Sequence, residues 1–440
     1  MAVISDSNLW NRSVPRYTSY PTAPQFYPID ESELKKKLAQ FDQSKKPLSI
    51  YIHIPFCKTM CLFCGCSVVL NRKPERQTAY LRSLMKEIDL YSSKKREVSQ
   101  LHFGGGTPTS LSEEEFAELM EKIRDRFTLQ QDAEISIEID PRTAGSEKLR
   151  ALKAFGFNRV SFGVQDLDPA VQEAVKRRQS EEMTVQTFQM AKEIGFNGIN
   201  IDLIYGLPLQ TPESFQKTAE KLVRLSPDRI AFYSYAKVPW LKEHQKAIKE
   251  EDLPTADEKL EIYLNARKRF LDAGYIQIGM DHFSKPNDAI AIAYKQGKLT
   301  RNFQGYSVNL AEDMLGLGLS SIGFLENGYF QNAKDLNEYQ ARVERGQIPV
   351  ERGFLLKEDD LIRKWAIQSI MCHFKLDKRK FFETFGLEFD LYFPPRKELE
   401  GLIVEDENEI LCTGLGQLFV RLVAASFDAY LGQGQYSKVI

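Results

Sequence analysis

Four of the six cysteines in this chain, Cys57, Cys61, Cys64 and Cys66, lie within one ten-residue stretch, and the first three are spaced C-x3-C-x2-C in IHIPFCKTMCLFCGC. Three thiolates at such spacing hold three irons of a 4Fe-4S cluster and leave the fourth iron open to a small chelating molecule. The amino and carboxylate groups of S-adenosylmethionine can take that place, so that an electron from the cluster breaks the sulfonium C–S bond and releases a deoxyadenosyl radical. Two other readings compete. A structural zinc site needs a second, distant pair of cysteine hooks, which the sequence lacks. Cys66 as a fourth ligand would close the cluster, but a single residue between Cys64 and Cys66 is a short span for gripping separate corners. Cys66 then reads as a nearby thiol that shapes the pocket, and Cys372 and Cys412, in SIMCHF and EILCT, read as core thiols.

Further along, LHFGGGTPT places three glycines after an apolar run, where the backbone can approach a ligand closely. The Lys-Ser/Thr ending of a phosphate loop is missing, and a plain strand-to-helix turn is the simpler alternative. Glu138 sits among apolar neighbours in EISIEID, a costly place for an acid without a partner. A ligand's ammonium or hydroxyl would serve, as would an internal salt bridge. Gln165 and Asp202 lie in later apolar runs, and Arg177 follows just beyond, with a surface position as its alternative. His53 reads equally as a hydrogen-bonded core histidine and as a catalytic one, so His53 and Cys66 are the catalytic candidates. His102 and His282 read as structural.

These residues need strands to carry them. Short β-branched runs at 49–54, 100–104, 134–140, 159–165, 198–206 and 229–235 alternate with amphipathic stretches, the pattern of repeated βα units on a parallel sheet. Six such units predict an α/β fold of the (β/α)6 partial TIM-like barrel type, with a further strand at 275–283 on the edge. The site belongs at the C-terminal ends of the strands. Before the barrel, an arm over 1–28 carries Arg12 and Arg16 among Trp10, Tyr17, Tyr20, Phe26 and Tyr27. The barrel domain is expected over 29–350. From 351 to 440 the alternation gives way to a helix, a hairpin at 402–413 and a helix at 415–430 with one apolar face, a small, mostly helical, winged-helix-like domain.

Composition narrows the function classes. With 59 basic and 61 acidic residues and a net charge of -2, the chain offers no field to hold nucleic acid, and Arg421 is the one base of the last helix. No apolar run reaches the roughly 18 residues of a membrane span, and the start MAVISDSNLW lacks the features of a signal peptide. A cytoplasmic monomer is expected.

The cysteine spacing, with Phe63 before the last ligand, resembles the radical S-adenosylmethionine superfamily. More closely, YIHIPFC, CLFCGC, QLHFGGGTPT, EISIEIDPR, FNRVSFGVQD, NIDLIYGLP, GMDHF, RNFQGY and the arm PRYTSYPTA resemble the oxygen-independent coproporphyrinogen III oxidases. A haem-binding chaperone branch of the same superfamily is the alternative, but its members typically lack the fourth cysteine and the arm. The resemblance implies a 4Fe-4S cluster on Cys57, Cys61 and Cys64 and two S-adenosylmethionine molecules per chain. One would rest on Tyr51, Gly105, Gly106, Thr107, Glu138 and Ile322, the other on Phe63, Gln165, Arg177, Asp202 and Ala236. It implies coproporphyrinogen III as substrate, losing two propionate carboxyls to give the vinyl groups of protoporphyrinogen IX in haem biosynthesis, with a separate electron donor and acceptor. Four carboxylates on an apolar ring system need charge-assisted donors and aromatic walls. Arg12, Arg16 and Gln304 are the substrate candidates.

Overall fold

The structure is a computed structural model that describes residues 9, 12–71, 73–91, 95–308 and 311–439. Of the arm expected over 1–28, residues 1–8, 10 and 11, including Trp10, lie outside the described residues.

Six parallel strands run in sequence order across the sheet: β1 (Leu48–Ile54), β2 (Arg96–Gly105), β3 (Phe127–Ile139), β4 (Arg159–Gln165), β5 (Gly198–Tyr205) and β6 (Arg229–Ser234). The helices that follow them are α1 (Pro74–Leu90), α2 (Glu113–Arg126), α3 (Ser146–Ala154), α4 (Glu181–Ile194), α5 (Pro212–Leu225) and α6 (Ala256–Asp272). Period-two alternation sorts the strand residues. Ile50, Ile52, Leu101, Phe103, Ile137, Phe162, Ile201 and Phe232 join one core with Leu84, Phe116, Leu149, Phe188, Phe215 and Phe270 of the helices. The intervening Ser49, Tyr51, His53, Gln100, His102, Glu138, Ser161, Asn200 and Asp202 are mostly polar and bond to one another from strand to strand. Local signals set the boundaries. At the start of α2, Ser112 accepts the Glu115 N–H at 3.1 Å while Glu115 accepts that of Ser112 at 2.9 Å.

Two strands begin earlier than the sequence pattern predicts, because Arg96, Glu97 and Val98 pair with Phe127, Thr128 and Leu129 before the main registers. The single strand expected at 275–283 is a tight hairpin, β7 (Ile276–Ile278) and β8 (His282–Ser284), with β8 antiparallel to β6. Gly279 turns it with φ +54°, and the Tyr306 ring occupies the space where a side chain would stand.

Six strands follow that the alternation does not announce. β9 (Thr300–Asn302) and β10 (Gly305–Ser307) form a hairpin. β11 (Asp313–Leu317) pairs parallel to β1, and β12 (Ile322–Leu325), β13 (Gly328–Asn332) and β14 (Val350–Leu355) extend the sheet antiparallel. The boundary expected at 350 therefore falls at the first residue of a strand that pairs with β13, and helix α7 begins at Glu358 (Glu358–His373).

The C-terminal region holds a three-stranded sheet, β15 (Lys375–Asp377), β16 (Ile403–Glu405) and β17 (Glu409–Cys412), the last two forming the expected hairpin. The helix expected at 415–430 is two short helices, Gly414–Leu418 and Val420–Ala425, broken at Phe419. The second is buried all round, so its packing is not that of one apolar stripe. Arg421 is buried and unavailable to a partner. Its guanidinium donates to the carbonyls of Val14 and Pro15 in the arm and of Ser437, Lys438 and Val439 at the chain's end. Val14, Tyr17 and Tyr20 of the arm share a core with Ile367, Phe381, Phe419 and Val423. The arm is thus fastened to the C-terminal region. Replacing Arg421 by Met should strip several buried carbonyls of their donor and cost about 2–4 kcal/mol. Limited proteolysis should then cut before Pro24 in the variant much faster than in the parent protein, and equal cutting rates would refute this role.

Candidate active site

The four clustered cysteines stand on the loop that leaves β1, and all are free thiols. Cys57, Cys61, Cys64 and Cys66 line one cavity of about 450 Å³ at the C-terminal ends of the strands. Among the described residues no three His, Cys, Asp or Glu side chains converge tightly enough to hold one ion. Three thiols facing a common cavity suit the three protein-held irons of a 4Fe-4S cluster. Their surroundings differ. The Cys57 sulfur lies 3.4 Å from the Thr107 hydroxyl, and burial pushes its thiol up to about 11. The hydrogen bond from Cys66 pulls the Cys64 thiol below its ordinary range. Two guanidinium groups reach Cys61, Arg177 at 3.6 Å and Arg142 at 4.0 Å, and Asp140 braces both, at 3.3 Å and 2.6 Å. Positive charge and N–H donors beside a ligating sulfur tune a cluster's potential. Asp140 and Arg142 stand in the EISIEIDPR segment, but nothing in their spacing points to Cys61.

The backbone of the thiol loop is gripped from a distant segment. Lys242 donates to the Cys66 carbonyl at 2.7 Å, His244 bonds to that of Cys64 at 2.8 Å, and Gln245 donates to that of Phe63 at 2.9 Å. Gln245 is fully buried, and its amide also takes the Val238 N–H and donates to the Ala236 carbonyl. This clamp was not foreseen, because some 180 residues separate it from the loop. His53 holds the loop from below. Its Nε2 bonds to the Ser67 carbonyl at 2.8 Å, so Nδ1 is left to accept from the Tyr51 hydroxyl at 2.9 Å. Burial lowers its pKa. Both ring nitrogens of His53 are thus engaged by the protein, and the residue lines a cavity that adjoins that of the thiols.

The glycines also serve the fold itself. A Cβ on Gly105, whose φ is +119°, would stand 2.7 Å from the His53 ring, and one on Gly106 would stand 2.5 Å from the Pro55 carbonyl oxygen. The backbone at these two positions makes close approach to the thiol loop itself, so their first requirement is internal.

The acids sit nearby. Glu138 accepts the Gly105 N–H at 3.2 Å and faces His102 at 3.4 Å, and its side chain is 43% exposed to the cavity. Asp202 accepts from Ser161 at 3.0 Å and Asn200 at 2.7 Å. Burial first, and the charge of Glu138 second, raise the Asp202 carboxyl to about 6. Arg177 is buried and donates to the Gly163 carbonyl at 2.6 Å, against the surface alternative. Gln165 has left-handed backbone, φ 69°, at an irregularity in the β4–β5 register.

Phe63, Gly106, Thr107, Gln165, Arg177, Asp202 and Ala236 line the thiol cavity. Tyr51, His53, Gln304 and Ile322 line an adjoining cavity of about 480 Å³. Arg16, Cys66, Gly105 and Glu138 belong to both. Arg12 lines neither: it is exposed, and its carbonyl accepts the Val439 N–H beside the Ser13–Lys438 bridge, which ties it to the chain's end. A more open groove of about 940 Å³ beside α4 contains none of the thiols.

Residues 51–222 match the family described as the radical SAM superfamily. The chain is 42% identical to the oxygen-independent coproporphyrinogen III oxidase of Salmonella typhimurium over 98% of its own length and 97% of the relative's. It belongs to the oxygen-independent coproporphyrinogen III oxidase family. The namesake from Synechocystis is also 42% identical, over 96% of this chain and 94% of that one. Among solved structures, coproporphyrinogen III oxidase from Escherichia coli, a radical SAM enzyme, superposes with a TM-score of 0.89 at 41% identity, covering 96% of this chain and 100% of that one. Family membership implies a 4Fe-4S cluster and S-adenosylmethionine.

The raised Asp202 carboxyl has a measurable consequence. The folded chain holds a proton there between about pH 4 and pH 6 that the unfolded chain releases, so this group's contribution to stability falls as pH rises through that window. Asp202→Asn should therefore raise the stability of the ligand-free protein at pH 7.5, by about 1–2 kcal/mol after discounting for the group's partial exposure. Melting curves should show the gain vanish near pH 4, and a gain of equal size at both pH values would contradict the assignment.

Proposed function

We propose that this chain carries out the anaerobic oxidative decarboxylation of two propionate side chains of coproporphyrinogen III to vinyl groups, giving protoporphyrinogen IX in haem biosynthesis. The observation that carries this reading is the nearly full-length match to enzymes of that name, combined with a thiol loop facing the cavity at the mouth of the barrel. Cys57, Cys61 and Cys64 would hold the cluster, and Cys66 would line the pocket beside it. When bound, the cluster and S-adenosylmethionine supply the deoxyadenosyl radical that removes a hydrogen atom from a propionate β-carbon.

This chain's own residues bind, orient and exclude water. Two S-adenosylmethionine molecules per chain are part of the proposal. Tyr51 and Ile322 face the cavity of about 480 Å³, and Gln165, Arg177, Asp202, Ala236 and Phe63 face the one of about 450 Å³. Two adjoining spaces, with Arg16, Cys66, Gly105 and Glu138 common to both, give room for two occupants. Gly105, Gly106, Thr107 and Glu138 stand at or near the junction. Glu138 and Asp202 give each space an acid for the cationic sulfonium or ammonium of its ligand. Asp202, costly when ionised in the empty protein, gains most from such a partner. Arg16 enters both cavities from the arm, its Nη2 held at 2.6 Å by the Ser234 carbonyl, and would meet a substrate carboxylate. Radical chemistry needs a site closed to solvent; Cys61 is buried in the protein alone, whereas Cys57 and Cys64 are half-buried and Cys66 is exposed, so the bound ligands would complete the closure. The proposal has the chain acting as a cytoplasmic monomer, with separate partners to deliver an electron to the cluster and to take one from the substrate. Among the described residues no helix is long and apolar enough to cross a membrane.

Anaerobic incubation of the reconstituted protein with a reductant, S-adenosylmethionine and coproporphyrinogen III should form the divinyl product. Equilibrium binding should count close to two S-adenosylmethionine molecules per chain, falling to one in the double variant Asp202→Ala, Arg177→Ala. Cys57→Ser, Cys61→Ser and Cys64→Ser should lose the cluster's iron and absorbance, whereas Cys66→Ser should keep both. No vinyl product would refute the activity, a wild-type count of one would refute the second site, and iron loss confined to Cys66→Ser would refute the ligand set.

A further inference from the structure

A third cavity, of about 510 Å³, adjoins the one that holds Glu138 and shares Thr18, Arg301 and Phe303 with it. Ser49 and Gln100 of the first two strands and residues of the β9–β10 hairpin line it, and Phe303, Phe324 and Tyr329 give it aromatic walls. Lys364, on helix α7 of the C-terminal region, faces into it. Its ammonium stands 3.4 Å from the centre of the Phe324 ring and 5.5 Å from that of Tyr329. An ammonium has three N–H donors, and among the described residues this one makes no hydrogen bond and no ion pair. Burial lowers its pKa to about 7. The one acid that acts on it, Glu312, stands at the rim of the same cavity and is paired to Lys46 at the surface. At the border with the second cavity, the buried Arg301 has no partner for Nε or Nη1, and Asp281 is 3.7 Å away, too far for a hydrogen bond.

The Lys364 ammonium, which makes no hydrogen bond among the described residues, stands in an aromatic-walled cavity that Arg301 also lines, a setting that suits an anionic group on an apolar body. Lys364 is half-buried, and if it served packing alone a methionine would fill the space without the cost of desolvating an ammonium. The substrate of the reaction above carries four carboxylates and loses two, so two must be held through both turnovers.

We propose that Lys364 and Arg301 bind a propionate carboxylate that is not decarboxylated, anchoring the tetrapyrrole at the inner end of the chamber. This rests on the tetrapyrrole reading, and it gives the C-terminal region a direct part in substrate binding. Coproporphyrin III, the oxidised tetracarboxylate, is the probe, titrated against the full-length holoprotein under anaerobic conditions and followed by quenching of protein fluorescence. K364M should bind it more weakly by roughly 30-fold or more, the effect of removing one partner of a buried charge pair. K364R should stay within a few-fold of the parent protein. The cluster absorbance of K364M should be unchanged, and its ligand-free melting temperature should not fall, since a half-buried ammonium without a hydrogen-bond partner has been removed. Equal binding by K364M and the parent protein would overturn the assignment, and K364Q gives the same comparison should K364M not fold. If the parent protein itself does not bind coproporphyrin III, the tetrapyrrole reading fails, a result distinct from a lysine without effect.

Discussion

A parallel strand buried on both faces sends successive side chains in opposite directions, and this barrel gives the two faces different tasks. Ile50, Ile52 and Ile54 pack against helices, whereas Ser49, Tyr51 and His53 point into the lumen of the same strand. A polar lumen is stable only if every group in it finds a partner. The side chains therefore bond along strands, Tyr51 to His53 and Asn200 to Asp202, and across them, His102 to Ser136 and Ser161 to Asp202. That lattice holds the strand ends rigid enough to present acids and arginines to a cavity, and it anchors the thiol loop through His53 and Ser67.

The thiol loop is the place where local sequence and distant structure meet. Its own backbone carbonyls face outward and would be unpaired without the side chains of Lys242, His244 and Gln245. From the opposite side, the missing side chains of Gly105 and Gly106 let the second strand's turn close against Pro55 and the His53 ring. The loop is thus shaped by three separate parts of the chain, residues 242–245, the turn at Gly105 and Gly106, and His53, before any ligand arrives. Pre-organisation of this kind spares a cofactor the cost of ordering its own site.

The strands and the thiol spacing were legible in the sequence because both are short-range patterns: alternation within six or seven residues, and three cysteines within eight. Every strand of the parallel six lies where its β-branched run stands. The polar lumen was legible too, since each run alternates, but only the strand-end members were singled out. Long-range partners left no local trace. The clamp on the loop, the hairpin at Thr300–Ser307 and the lysine on α7 reach the site from far along the chain. The C-terminal helix misled by its period: Leu415, Leu418, Phe419, Leu422 and Val423 trace an apolar stripe, yet the chain breaks at Phe419 to bury the second half on all sides. Arg12 misled by its company, since aromatic neighbours mark packing with the C-terminal region as readily as a binding surface.

Coupling between the thiol cavity and the substrate chamber is what the arrangement stands on. The direct measurement uses coproporphyrinogen III deuterated at the propionate β-carbons, turned over anaerobically, with the 5′-deoxyadenosine product weighed by mass spectrometry. Deuterium in deoxyadenosine, rising in step with vinyl product, is the result expected if the two spaces form one site. Vinyl product accompanied by unlabelled deoxyadenosine would contradict it.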